Sequence, residues 1–310
     1  MGASSPGPLP LLVSGWLLTG IAAVAIIARL YLRLIIQKRK LLYSDWFICA
    51  SWICGTITNV MNTELAHLGA FDKHVMMTLD GYRGDPDNID MIIKLLVLSH
   101  IPLWSTFYLC KAALLAAYLQ LFLEFMKKRK IFLWATMAYN VAAYLASIIV
   151  LLCVCEPEDD WSLSLPGSCA INYGESIFLI SWALHFFGDI LVFALPWLIV
   201  PSMGLKTSLK VGVYCTFLLG GITMIICIVR LVTLEASEVR NNLSLSLMVL
   251  WNTLECGMGV IIACLPSLRP YLHDKNVTTS ETVKTSSRTS NPGPRCQSGS
   301  YSSTASPEGV

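Results

Sequence analysis

Seven stretches of this chain are each long and apolar enough to cross a lipid bilayer as a helix. They are Leu11–Ile36, Trp46–Leu68, Met91–Phe122, Ile131–Val154, Ser176–Val200, Val211–Leu234 and Leu243–Leu265. A hydrocarbon core about 30 Å thick takes about 20 helical residues to span. Inside it the backbone finds no water, so a spanning segment must satisfy its own N–H and C=O groups. The expected fold is therefore all-α, a seven-helix transmembrane bundle over residues 11–272. The second run is the most dilute, because Asn59, Asn62 and Glu64 fall in one half of it. The third is long, and its first turns are expected to project into water.

Composition agrees with a lipid-facing chain. Only 14% of its 310 residues are charged, against roughly 25% in soluble proteins. The 11 cysteines include no C-x-x-C pair, and no two histidines stand at ligand spacing, which argues against a zinc-binding fold. Most of these cysteines lie within apolar runs, where Cys behaves as a small hydrophobe. The first ten residues carry no Lys or Arg, so the first run reads as a retained helix rather than a leader.

The connections between runs sort by charge. One alternating set holds Lys38, Arg39 and Lys40, then Lys127, Lys128, Arg129 and Lys130, then Lys206 and Lys210. The other holds Asp72, Asp80, Asp85, Asp87 and Asp90, then Glu156, Glu158, Asp159 and Asp160, then Glu235 and Glu238. Basic loops stay in the cytosol. The expected topology is thus a short amino terminus (residues 1–10) outside and a cytosolic carboxyl terminus. At a membrane edge the Lys127–Lys130 run meets anionic lipid headgroups rather than nucleic acid. Residues 273–310 are rich in Ser, Thr, Pro and Gly and are expected to be a disordered cytosolic tail. Asn242 heads an Asn-Leu-Ser sequon in the last outside loop, close to the start of helix seven, and is a glycosylation candidate.

Ionisable residues within spanning helices are costly and need a reason. Lys111, Asp189, Arg230 and Glu255 are such residues, and two cations with two carboxylates can neutralise one another. Lys111, Asp189 and Glu255 fall near mid-depth of their runs. His185 stands four residues before Asp189 and shares its helix face. Two readings stay open: an ion-pair network that fixes helix register, or a polar site that binds a ligand or moves a proton. If the chain is an enzyme, Asp189, Glu255 and Lys111 are its acid–base candidates. His185, Asp189 and Glu255 are too few donors to assign a metal. Pro102 and Pro196 are expected to kink the third and fifth helices.

Several segments together resemble the fungal rhodopsin-domain family of seven-transmembrane proteins. They are Ser44-Asp45-Trp46 at the start of helix two and the stretch Lys111 to Phe122. Cys155-Glu156-Pro157, Trp161 and Gly167-Ser168-Cys169 follow in the fourth connection. Asp189 with Leu195-Pro196, then Arg230, then Glu255 with Cys264-Leu265-Pro266-Ser267-Leu268-Arg269-Pro270 complete the resemblance. It implies a receptor-like protein sensing an extracellular or membrane-partitioned small molecule. Because some members are encoded beside toxin-biosynthesis genes, it also implies an alternative, a membrane-bound accessory or cyclase- or isomerase-type enzyme of a secondary-metabolite pathway. No cysteine-rich stretch precedes helix one in this sequence, so the receptor subclass that carries such a domain is not expected. Leu243–Leu265 holds no Lys, so a retinal Schiff base on the last helix is not expected, nor any other cofactor. Helix three ends without Asp-Arg-Tyr and helix seven lacks Asn-Pro-x-x-Tyr, so G-protein coupling has no motif behind it. Cys155 and Cys169 flank the acidic outside loop and are the expected disulfide, with Cys153 a competing partner.

Overall fold

A computed structural model describes residues 7–36, 38, 40–76, 79, 81–122, 127–154, 174–199, 218, 220–233 and 244–286. Side chains are described within those limits, except at 120–130, 153–154, 174–177, 196–199 and 266–286. The Cys155–Cys169 pairing, its competitor Cys153 and the Asn242 sequon lie outside the described side chains.

Seven α-helices account for nearly all of the described chain: α1 Pro8–Tyr31, α2 Tyr43–His67, α3 Ile89–Phe122, α4 Lys127–Val154, α5 Gly174–Ile199, α6 Gly220–Thr233 and α7 Leu245–Ser286. Five carry stretches apolar and long enough to cross a membrane: Pro8–Ile36, Pro86–Leu119, Ile131–Leu152, Phe178–Leu195 and Leu245–Leu265. Among the described residues there is no strand, only a single bridge between Met76 and Ser244. The chain divides into two units, Met1–Pro270 and Tyr271–Val310, and everything that follows concerns the first.

Local chemistry sets the helix ends. Pro8 opens α1 at a position where its missing N–H costs nothing. Asp45 in the first turn of α2 accepts the Leu42 N–H at 3.0 Å, where a carboxylate also favours the helix dipole. Past the end of α2, Gly69 takes φ +79°. Gly69 N–H then bonds Ala66 O at 3.1 Å and Ala70 N–H bonds Leu65 O at 3.0 Å, a glycine-terminated double turn.

The packing is inverted relative to a water-soluble bundle. Leu9, Val13, Leu17, Ile21, Val24 and Ile27 form an exposed apolar stripe along α1, and Ile131, Trp134, Val141, Leu145 and Ile149 form another on α4. Charged Arg29, Lys111, Arg230 and Glu255 are buried. Many hydroxyls inside the helices bond back to carbonyls one turn earlier, as Thr58 does to Cys54 O at 3.1 Å, Thr136 to Phe132 O at 2.9 Å and Ser147 to Ala143 O at 2.9 Å. A hydroxyl bonded in this way does not meet hydrocarbon unpaired.

Helix α3 is the core element, contributing to the packing on every side. Leu103, Trp104, Phe107 and Tyr108 meet Ala143 and Leu151 of α4. Leu115 and Tyr118 meet Leu133 of α4 and Leu195 of α5. Cys110 and Ala113 meet Ile48 of α2 and Val260 and Ala263 of α7. Where α2 joins α3, described residues of the connection pack onto the neighbouring helices. Phe71, Val75 and Leu79 from it are buried with Leu11, Leu65, Ile92 and Leu245. Leu245 N–H bonds Val75 O at 3.4 Å, which fastens this segment to the start of α7.

Candidate functional site

Five ionisable side chains from four helices meet inside the bundle: Lys111 of α3, His185 and Asp189 of α5, Arg230 of α6 and Glu255 of α7. Each was recognisable from sequence as an intramembrane polar residue, and the structure brings all five into one cluster. Lys111 is 4% exposed, His185 6%, Arg230 5% and Glu255 3%, so these four are closed to solvent. Asp189 is the most accessible member, with its side chain 19% exposed.

The Lys111 ammonium has three hydrogens, and three acceptors surround it. They are the His185 carbonyl at 2.5 Å, His185 Nδ1 at 3.1 Å and Asp189 Oδ1 at 3.2 Å. Because Nδ1 faces a donor that cannot accept, it is the ring's acceptor. The imidazole is therefore assigned as neutral with its proton on Nε2. Nε2 lies 3.0 Å from Asp189 Oδ2 and 3.0 Å from Glu255 Oε1. One N–H thus stands between two carboxylates. Arg230 completes the set, with one guanidinium nitrogen bonded to Asn252 Oδ1 and 3.0 Å from Glu255 Oε2. Two cations and two carboxylates balance, which is the condition under which buried charges are tolerated.

The neighbourhood is fitted to this cluster. Gly188 leaves the space the ammonium occupies, since a Cβ there would stand 3.1 Å from Lys111 Nζ and 3.6 Å from Tyr139. Tyr108 lies under the ammonium at 5.4 Å, and Phe107 tilts against the imidazole with ring centres 4.5 Å apart. Tyr139 fixes α5 by donating to Leu184 O at 2.9 Å. Phe178 stands 5.5 Å from the Arg230 guanidinium carbon.

Cys227 of α6 joins His185 and Glu255, with donor atoms all within 4.8 Å of one another. The ring orientation argues against a metal ion there. A metal on Nε2 requires Nδ1 to carry the proton and donate it, yet Nδ1 faces the Lys111 ammonium. The Glu255 carboxylate is likewise engaged by Arg230. The donor set suits ion pairing and proton holding.

A second buried charge group was not recognised from sequence. Arg29 of α1 is 1% exposed. It donates to Asp45 Oδ1 at 2.9 Å, Ser44 Oγ at 2.9 Å, and the Ala263 and Cys264 carbonyls at 2.9 and 3.4 Å. Arg33 also pairs with Asp45, and Ser44 donates onward to Ala113 O at 2.9 Å. This group ties α1, α2, α3 and α7 together just before Pro266, a residue with no N–H to continue the helix bonding of α7. The signal was present: Arg29 and Arg33 share one helix face, and Asp45 is the only acidic residue near them in sequence.

The sequence profile of the fungal rhodopsin domain matches residues 28–274, which take in both charge groups. The chain belongs to that family. Among curated proteins, this fungal rhodopsin domain is similar to the Fugralins biosynthesis cluster protein 2 of Gibberella zeae, 26% identical over 174 residues. That match takes in 54% of this chain and 43% of the relative, so it spans less than half of the relative's length. No solved structure matches the chain.

Proposed function

We propose that this fungal rhodopsin-domain protein crosses the membrane seven times, amino terminus outside, and senses a membrane-partitioned small molecule of secondary metabolism. The observation that carries this reading is the largely buried, charge-balanced cluster joining α3, α5, α6 and α7. Every ion in it has a counter-ion on another helix or turn, so the cluster acts as a latch. A ligand that makes better partners for one member shifts the helices it joins. Helix α6 is the natural moving element, held to α7 by the Arg230 contacts with Asn252 and Glu255. Phe71, Val75 and Leu79, between α2 and α3, are buried against Leu11, Leu65, Ile92 and Leu245, an apolar packing that favours entry between helices over entry from water. The name of the Gibberella zeae relative places that protein in a biosynthesis cluster, and this supports a ligand drawn from such chemistry.

The same relative supports a second reading, a membrane enzyme of the pathway. In it the His185 N–H between Asp189 and Glu255 is the acid–base centre. Metabolite profiling of a deletion strain, complemented with wild type or Asp189→Asn, separates the two. Sensing predicts loss of the transcriptional or growth response to added metabolite, equally in the deletion and the Asp189→Asn strain, with no pathway intermediate accumulating. Build-up of one discrete intermediate in both strains, at normal protein abundance, would replace sensing with catalysis.

A further inference from the structure

Helix α7 is held at two points by different neighbours. At Glu255 its carboxylate meets His185 of α5 and Arg230 of α6, each at 3.0 Å. Further along, its Ala263 and Cys264 carbonyls accept from Arg29 of α1 at 2.9 and 3.4 Å. The path from Glu255 to Cys264 is about 14 Å of helix. Between the two points Gly259 rests on α3, where a Cβ would stand 3.7 Å from Cys110 Sγ.

Beside this stretch lies a cavity of about 30 Å³, lined by Cys256, Gly257 and Val260 of α7 and by residues of α1, α2 and α3. That is room for roughly two water molecules. The hydroxyl, amide and indole donors in its wall are already engaged. Thr58, Thr106 and Thr253 donate to carbonyls one turn earlier, Trp52 to Thr19 O, and Asn59 to Gly15 O and Thr19 Oγ1. Crowding does not force the space either. A Cβ on Gly55, which lines the cavity, would stand 3.6 Å from Thr106, an ordinary contact. Alanine would fit there and suit the helix better, yet the chain carries glycine and leaves the void. Interiors are otherwise close-packed, so a helix beside a void has somewhere to go.

We infer that α7 is a lever with its fulcrum at Gly259. When the contacts of Glu255 loosen, the 253–257 stretch sinks into the cavity. The far end then swings away from α1 and breaks the Arg29 contacts with Ala263 and Cys264. Pro266 lies just beyond, with no N–H to stiffen the helix there. The Arg29 group is thus the output contact of the central cluster. This inference rests on the latch reading of that cluster and names where its release is read.

The test is the rate of N-ethylmaleimide alkylation of the full chain in phosphatidylcholine nanodiscs, read at single cysteines by peptide mass spectrometry. Cys264 is 1% exposed beside the Arg29 contact, and Cys110, at the fulcrum, is 5% exposed. His185→Gln loosens the Glu255 cluster without stranding a cation. It should raise the Cys264 rate roughly tenfold, the effect of one lost hydrogen bond on a local opening, and leave Cys110 unchanged. Gly55→Ala, added to it, fills the cavity and should return Cys264 to the wild-type rate. Gly20→Ala improves a helix in the same way where nothing lies within 4 Å, and should not. If His185→Gln fails to fold, Asn252→Ala takes its place, since it removes one Arg230 contact and leaves every ion pair. An unchanged Cys264 rate would overturn the lever. So would equal rises at Cys264 and Cys110, which mark general loosening, or equal rescue by Gly20→Ala, which marks helix stability rather than space. No ligand enters this test, so the deletion-strain response and the lever stand or fall separately.

Discussion

Replacing Asp45 by Asn should destabilise the fold far more than its position at a helix start suggests, and removing Arg29 as well should restore much of the loss. Asp45 faces two guanidiniums. Arg33, whose side chain is 13% exposed, can turn toward the headgroup region once its partner is gone. Arg29, at 1%, cannot. The amide of the Asp45→Asn variant would still accept one hydrogen bond but leave Arg29 as an uncompensated buried charge. Such a loss costs about 3–5 kcal/mol. The retained hydrogen bond and the carbonyls of Ala263 and Cys264 place the change near the lower end, about 3 kcal/mol. At roughly 2–4 °C per kcal/mol the melting temperature should fall by about 6–12 °C. In the double variant Arg29→Met, Asp45→Asn the buried charge is gone, and its loss should be smaller than that of Asp45→Asn alone. A thiol-reactive fluorogenic dye reads the transition, because Cys110, Cys227, Cys256 and Cys264 are buried and free until the chain unfolds. If the double variant loses the sum of the two single losses, the residues are energetically independent and the pairing argument is wrong.

Further tests follow from the cluster and its packing. Gly188→Ala should push Lys111 from its seat, costing about 1–3 kcal/mol in a dye-monitored melt, whereas Ala at Gly20, which has nothing within 4 Å, should leave the melt unchanged. Glu255→Gln should strand Arg230 and lower folded yield in detergent by a loss of about 3–5 kcal/mol, while His185→Gln, which strands no cation, should cost less. Gly257→Ala should separate α1 from α7, since its Cβ would meet Leu18 Cβ at 2.8 Å; cross-linking between cysteines placed on the two helices checks this.

How much of this was readable beforehand depends on the kind of information involved. Helix existence follows from apolar run length, so Met91–Phe122 anticipated α3 at Ile89–Phe122 and Ile131–Val154 anticipated α4 at Lys127–Val154. The four intramembrane charges stood out because hydrocarbon penalises them one by one. Their partners did not, because pairing depends on rotation and depth of separate helices. Asn252 as a partner of Arg230 is of that kind. Arg29 escaped notice because it sits near Arg33 and Lys38 at a run's end, where a cation is ordinarily assigned to the interface. The fold instead turns it inward onto Asp45 and the α7 carbonyls.

The apolar packing of Phe71, Val75 and Leu79 between α2 and α3 also bears on dose. When the bilayer is the route to the latch, occupancy follows the concentration of ligand dissolved in lipid, and the aqueous concentration matters only through the partition coefficient. Each added methylene, at about 0.8 kcal/mol, raises that loading roughly fourfold. Two metabolites with equal affinity for the protein would then differ in potency by their oiliness alone, and a response once started would outlast removal of the compound from the medium.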